Sequence, residues 1–467
     1  MILKATPAIG LATPPPRRFA IAPASRGATA AASIFGDQLH YDRLALWGVG
    51  VPLFAEIFFQ KIALPIGEAG ISVSFVFGFV GLGLLLFSGR AVIDTGRFIL
   101  YGVMVAAIVA SQLCGDSSFS TSSLMLLIVT YAIYVFRLRG DGDNFMATLR
   151  LYQRMMFIVA GAAVFQYAGQ YFLPHNVVFP LEFLLGPFLI KNFNHVIPIT
   201  YGSSIFKSNG MFLAEPSFLS QGMALCFIIE RLFFRRVRFQ LAYLAGLTVS
   251  YSGTGLLLLA VAGPFLLYRT GALRFALILL PVAAILLSLG SFLQLDIIAG
   301  RTGEFGAENS SGFARFVSIF YVLNQFIFID PHRFFFGMGA GSLLAIGGQT
   351  TYLVHDPTWG KLLFEYGFLG ALGFFPFILY SLLARSASRF LAASLAFAYF
   401  FLGGYLLGPF YNFLIVGLVA WHHPKTAPSA KPESAPMSSL SLHPVPASQG
   451  FLRQPAPGIS LRPVVRS

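Results

Sequence analysis

The residue types able to take up protons or carry fixed charge sit in a few short runs of an otherwise apolar chain. One run is KSNGMFLAEPSFLSQG (207–222), with Lys207 and Glu215. A second is RTGEFGAENSSGFAR (301–315), bounded by Arg301 and Arg315, followed by FFFGMGAGS (334–342) and HDPTWGKLLFEYG (355–367), with His355, Lys361 and Glu365. Histidine and glutamate exchange protons near neutrality once their surroundings adjust them, and arginine and lysine neutralise anions. An ionisable group at membrane depth is costly, so Glu215 and Glu365 are functional candidates by default. Each has a plainer reading. Glu215 also fits a helix-mouth salt bridge, and Glu365 stands one turn past Lys361 at the spacing of an ordinary helix pair. An isolated loop histidine such as His355 is more often bonded to backbone than catalytic, and Arg301 and Arg315 equally suit loop ordering.

The elements that must position these residues follow from composition. Of 467 residues 56% are hydrophobic and only 10% charged, with a mean hydropathy of +0.75. A soluble domain carries about 25% charged residues, so a water-soluble core is excluded. The formal charge of +13 is scattered in short clusters between apolar runs, which encodes membrane topology and gives no nucleic-acid surface. The two cysteines, Cys114 and Cys226, have no metal or redox spacing and read as unpaired thiols.

A spanning helix needs about 20 apolar residues. Runs of that kind predict an all-α, polytopic transmembrane bundle of about twelve spans, near 44–60, 71–88, 98–113, 122–136, 155–173, 212–230, 239–252, 254–268, 273–294, 360–383, 390–403 and 405–421. The last two, split at Gly403-Gly404, also fit one long helix. With both termini in the cytoplasm, fourteen arginines (among them Arg90, Arg97, Arg137, Arg236, Arg385 and Arg389) fall in short inner loops, against seven lysines and arginines outside. Trp47, Trp359 and Trp421 fall at predicted span ends, where amphipathic rings prefer to sit. Residues 1–43 and 422–467 read as disordered cytoplasmic tails around a 44–421 bundle. Two large outer loops, about 174–211 and 295–359, each hold an apolar segment (177–190 and 312–329) that suits an interfacial helix.

Several motif readings fail their own context. GMGAGS does not follow a strand in a βαβ unit, so it makes no nucleotide loop. Asp141 and Asp143 lie in a basic loop and read as a turn rather than a metal pair. Neither a metal site nor a nucleotide cofactor is expected.

The order of the runs nevertheless resembles the O-antigen ligase and polysaccharide polymerase superfamily, in particular the lipid-linked polymerases of Wzy-dependent exopolysaccharide pathways, over roughly residues 200–383. NGMFLAEPS (209–217), with Lys207 where the family usually has arginine, looks like one conserved segment. YSGTG (251–255), the glycine run, His355 and LFEYG (363–367) follow in the family's order. The resemblance implies inverting transfer of a glycan from undecaprenyl pyrophosphate to an acceptor hydroxyl at the periplasmic face of the bacterial inner membrane, without metal or nucleotide. It implies that Lys207, Arg301 and Arg315 hold the pyrophosphate. His355 or Glu215 is the expected proton acceptor. Lysine at 207 offers no bidentate contact, and Asp356 beside His355 is expected to tune the imidazole upward, towards a phosphate-binding imidazolium. Tyr352 and Trp359 are the aromatic candidates for stacking on sugars. The implied partners are a lipid-linked oligosaccharide, the bilayer, a flippase and chain-length-control proteins. The competing readings are an O-antigen ligase acting on lipid A core, which shares the chemistry, and a lipid-linked sugar transporter or flippase. A transporter predicts internal repeats with matching broken helices, and none is visible in the sequence.

Overall fold

A computed structural model describes residues 42–65, 70–115, 119–139, 143–200, 202–270, 310–346, 350, 352, 354–384 and 386–423. The chain is mostly helical. Its first ten helices are α1 (Arg43–Phe58), α2 (Val73–Phe87), α3 (Thr95–Cys114), α4 (Thr121–Ala132), α5 (Asp143–Gly169), α6 (His175–Val178), α7 (Pro180–Leu184), α8 (Pro216–Ile229), α9 (Val237–Val249) and α10 (Gly253–Thr270). After a stretch outside the described residues come α11 (Ser311–Phe316), α12 (Ser318–Phe326), α13 (Pro331–Phe336), α14 (Ser342–Ile346), α15 (Thr358–Leu379), α16 (Arg389–Phe401) and α17 (Pro409–Ile415). Eleven of the twelve apolar runs coincide with helices, and the twelfth, 273–294, lies outside the described residues together with Arg301, Asp141 and nearly all of both tails. Among the described residues, three helices suffice by length and composition to cross a membrane: Thr95–Cys114, Pro216–Phe234 and Thr358–Ala384.

The starts of these helices are legible in their caps. Asp42 accepts the amides of Leu44 and Ala45, and Asp94 and Ser120 accept those of Arg97 and Ser123. Pro216 occupies the first position of α8, where its missing amide costs nothing. The expectation of helices alone needs one correction. Two short antiparallel pairs occur, β1 (Ala63–Leu64) with β2 (Ile71–Ser72), and β3 (Ala91–Ile93) with β4 (Phe136–Leu138). One apolar core unites the bundle: α1 packs on α2 and α5, α3 on α15, and α8 on α9 and α10.

Several sequence expectations change in detail. The 312–329 segment breaks at Val317 into α11 and α12, where the Ser318 hydroxyl bonds back to the Ala314 carbonyl at 2.6 Å. On α12, Ile319, Val322 and Leu323 are buried while Asn324 and Gln325 are exposed together with Phe320 and Tyr321, so one apolar face packs inward. Trp421 is no interfacial anchor. It is 1% exposed, and its indole donates to the Ile133 carbonyl at 3.0 Å. His422, assigned to the C-terminal tail from sequence, is buried and bonded to the Gly417 carbonyl. Residues 402–408 separate α16 from α17, so the last two runs are not one helix.

Arg97 gives the largest departure. Counted as an inner-loop cation, it is wholly buried in the first turn of α3. Three helices end in wide turns, at Glu230–Phe234, Tyr380–Ala384 and Val416–Ala420, and such turns leave carbonyls without their usual helical amides. The Arg97 guanidinium donates to Ala420 (2.6 Å) and Ser381 (3.2 Å) from two of them, and to Phe136 (3.1 Å) at the start of β4. A planar fork of donors suits this convergence better than an ammonium. Arg97→Met is therefore expected to destabilise the protein by at least about 3 kcal/mol, since each stranded buried carbonyl costs about 1–3 kcal/mol. Arg97→Lys should recover only part of the loss, read as thermal melting midpoints in detergent.

Candidate functional site

Segments around residues 190–218 and 315–361 meet around one cavity of about 590 Å³. Its wall is assembled from β2, residues 190–193, the start of α8, Arg315 on α11, residues 354–357 before α15, and the 402–408 segment. Glu215, Arg315 and His355, three of the five residues singled out from sequence, all line it.

Glu215 is held in extended backbone just before Pro216. One carboxylate oxygen accepts the Asn194 amide at 3.0 Å, and the other accepts the Ser217 hydroxyl at 3.0 Å. Arg315 Nη2 stands 3.6 Å from that second oxygen, with both side chains largely buried. The ion pair therefore joins the first of these segments to the second. Local backbone fixes the third member, because the His355 amide donates to the carbonyl of Ala314, the neighbour of Arg315, at 3.1 Å.

The electrostatics of His355 reverse the sequence expectation. Burial lowers its pKa below the ordinary value, and the Arg315 charge lowers it further. Asp356 and Glu215 act in the opposite sense but do not prevail. The imidazole is neutral at pH 7, a state that suits a proton acceptor rather than a phosphate-binding imidazolium. Asp356 is directed elsewhere, accepting Lys361 Nζ at 2.8 Å, while Lys361 also stands 3.8 Å from Glu365. The i, i+4 reading of Lys361 and Glu365 describes their geometry.

The remaining candidates separate. Lys207 is half-buried, with its amide on the Ile197 carbonyl at 2.8 Å, and it is not among the cavity-lining residues. The turn that follows has a structural anchor: Gln166 Oε1 accepts Ser208 Oγ (2.7 Å) and the amides of Asn209 and Gly210 (both 3.0 Å). The buried cation at this turn is Lys61, which donates to Glu182 and to the Met211 carbonyl. Burial lowers its pKa to about 8 against the pull of Glu182. Trp359 packs on Phe320 with ring centroids 5.2 Å apart, and neither Trp359 nor Tyr352 lines the cavity. The aromatic wall is made by Phe75, Phe193, Phe218, Phe401 and Tyr405 instead.

Sequence reasoning missed Lys191 and the 402–408 segment as parts of the wall, and it grouped Lys361 with the charged runs without giving it a role at the site. Gly403-Gly404 was the available signal. A Cβ on Gly404 would lie 2.3 Å from the Asp356 carboxylate, and the Gly403 carbonyl accepts the Thr358 amide at 3.3 Å. The glycines let this segment lie directly against the start of α15.

The glycine run at 337–341 is explained by α15, not by a ligand. Gly367 interrupts that helix at φ 62°, ψ −167°, a conformation open essentially to glycine. The carbonyls of Phe364 and Glu365 are met from outside by the amides of Met338 (2.8 Å) and Gly339 (3.1 Å). Gln112 pins the same loop, accepting the Ala340 amide at 2.7 Å. Gly337→Ala would place a Cβ 2.6 Å from the Glu365 backbone at φ 79°. The expected cost is about 2 kcal/mol or more, read as a lower melting midpoint, with Gly102→Ala, at an open position inside α3, as the control that should hold or slightly raise it.

Comparison of the chain with protein-family models, curated proteins and solved structures finds no match.

Proposed function

We propose that the chain is a membrane glycosyltransferase that polymerises undecaprenyl-pyrophosphate-linked oligosaccharide repeats into exopolysaccharide or O-antigen. It acts at the periplasmic face of a bacterial inner membrane, with about twelve spans and both ends in the cytoplasm. One observation carries the reading. Glu215, Arg315 and His355, from widely separated segments, share a cavity in which a neutral imidazole lies beside a fixed guanidinium. A cavity of this volume is of the size that holds small ligands or several sugar rings. Its mixed wall suits a sugar, with aromatic faces beside hydrogen-bonding groups.

In this reaction the acceptor hydroxyl attacks the anomeric carbon of the lipid-linked sugar from the side opposite the leaving group. The new glycosidic C–O bond forms as the anomeric carbon–oxygen bond to pyrophosphate breaks, and the product is inverted. His355 takes the hydroxyl proton. The leaving pyrophosphate keeps the electron pair, and Arg315 stabilises its charge in a largely buried setting. Glu215 holds Arg315 through the ion pair and is itself fixed by Asn194 and Ser217. Lys361, steadied by Asp356, supplies a second fixed charge at the wall. A flippase would deliver the substrate, and chain-length-control proteins would act on the product.

The test is a deletion strain complemented with the parent or a site variant, with lipid-linked sugars and secreted polymer sized separately. Single repeats accumulating on lipid, without long polymer, are the expected result. Long lipid-linked polymer that never reaches lipid A would instead identify the ligase. Loss of lipid-linked sugar from the outer leaflet would identify the flippase. Normal polymer from the deletion would overturn all three.

A further inference from the structure

A second, smaller cavity of about 40 Å³ lies behind Phe218, which lines both. Glu56 in the last turn of α1 and Gln60 just beyond that helix line it together with Tyr152, Gln221 and Tyr411. Glu56 is 3% exposed, and neither of its carboxylate oxygens has a hydrogen-bond partner of good geometry, although the Ser74 hydroxyl is close by. Among the described residues lining this cavity there is no lysine, arginine, histidine or second carboxylate; the other titratable groups facing it are the phenols of Tyr152 and Tyr411. Nothing in the sugar-transfer scheme uses this carboxylate.

A lone ionised carboxylate in an apolar interior is prohibitively costly, so it is neutralised by whatever occupies the adjoining space. The space exceeds the roughly 10–15 Å³ that one water needs and also accommodates a dehydrated monovalent ion. Oxygen donors are at hand. Gln60 Oε1 accepts the Ala214 amide at 2.7 Å, and Gln221 Oε1 accepts the Tyr405 hydroxyl at 2.7 Å. Each amide oxygen keeps a second lone pair.

We propose that this cavity is a small-cation site, in which the Glu56 carboxylate holds a proton or a sodium ion with oxygens of Gln60, Gln221 and Tyr411 around it. Occupancy is felt at the main cavity by two routes. Ala214, bonded to Gln60, directly precedes Glu215, and Tyr405, bonded to Gln221, lines the larger wall. The site is independent of the identity of the sugar reaction.

The test uses the full-length protein in detergent micelles, melted in sodium chloride and in choline chloride across a pH series, with radioactive sodium binding measured in parallel. A saturable upward shift of the melting midpoint in sodium alone, with stoichiometric sodium binding, both lost in Glu56→Gln, identifies a sodium site. A sodium-independent upward shift on acidification identifies the proton, provided that an infrared band of a protonated carboxyl accompanies it and disappears in Glu56→Gln. Absence of both responses in the parent, or their persistence in Glu56→Gln, overturns the proposal. Tyr411→Phe guards against a misfolded Glu56 variant, because it keeps the ring stacked on Tyr405 at 4.0 Å between centroids and removes one oxygen. Where the parent binds sodium, this variant should lose about tenfold in apparent affinity, one modest hydrogen-bond equivalent. An unchanged affinity in the folded variant would exclude this cavity.

Discussion

His355→Ala is expected to slow polymer formation by about 10²–10⁴-fold, the usual contribution of a positioned general base, with the protein still present in the membrane. The backbone contact of this residue, from its amide to Ala314, survives the substitution, so loss of activity reports on the imidazole. The pH profile makes the assignment sharper. A base must be unprotonated to act, and the His355 pKa is lowered from its ordinary value by burial and by Arg315. Activity in kcat/KM should therefore stay level as pH falls through about 6.5 and decline only below it. Arg315→Gln removes a charge that depresses the imidazole, so the acid limb should move up. Asp356→Asn removes one that raises it, and the limb should move down. The linked stability change has a definite sign. The unfolded chain takes up this proton first, so the contribution of His355 is fully present above about pH 6.5 and is lost as pH falls below it. An acid limb unmoved by either substitution would remove His355 from the role of base.

Arg315→Ala is expected to cost about 10²–10³-fold in kcat, the scale of removing one preorganised charge-stabilising donor. Arg315→Lys should recover little, because an ammonium does not reproduce a guanidinium's bidentate grip on a phosphoryl group. The ion pair with Glu215 separates this role from simple anchoring. Glu215→Gln keeps a carbonyl for the Asn194 amide but loses the charge facing Arg315. If Arg315 acts only as a structural tie, Glu215→Gln and Arg315→Ala should be equally damaging and should lower the melting midpoint together. If it acts on the leaving group, Arg315→Ala should lose far more activity for the same change in stability.

Much of this architecture can be read from the chain, for reasons that differ by residue. Apolar runs and their caps mark the helices, because hydropathy and side-chain capping are local properties. Glu215, Arg315 and His355 stand out because ionisable residues are scarce in so apolar a sequence. Contacts between distant segments are what the chain conceals. Arg97 looks like any topogenic arginine until the wide turns at Ser381 and Ala420 bring carbonyls to it. Lys207 sits in the motif that drew attention, yet the buried cation at the adjoining turn is Lys61, 150 residues from Met211, whose carbonyl it meets. Asp356 follows His355 directly, but its carboxylate is satisfied by Lys361, and burial decides the imidazole's charge. Burial and pairing of this kind depend on tertiary arrangement, which local spacing does not encode.

The interruption at Gly367 bears on how the protein is made. A hydrophobic helix delivered to a bilayer ordinarily arrives with its backbone groups satisfied internally, because lipid offers no replacement. Here the carbonyls of Phe364 and Glu365 draw their amides from Met338 and Gly339, which the ribosome completes first, and Gln112 receives that loop earlier still. Biogenesis therefore has an order and a side. Residues 337–340 must wait near the far end of α3 until the helix that needs them emerges beside it. A chain shortened in this loop would leave the Phe364 carbonyl bare and the Glu365 carbonyl with Gln112 Nε2 alone, at 3.2 Å, a lesion of assembly that would appear as rapid turnover of the protein.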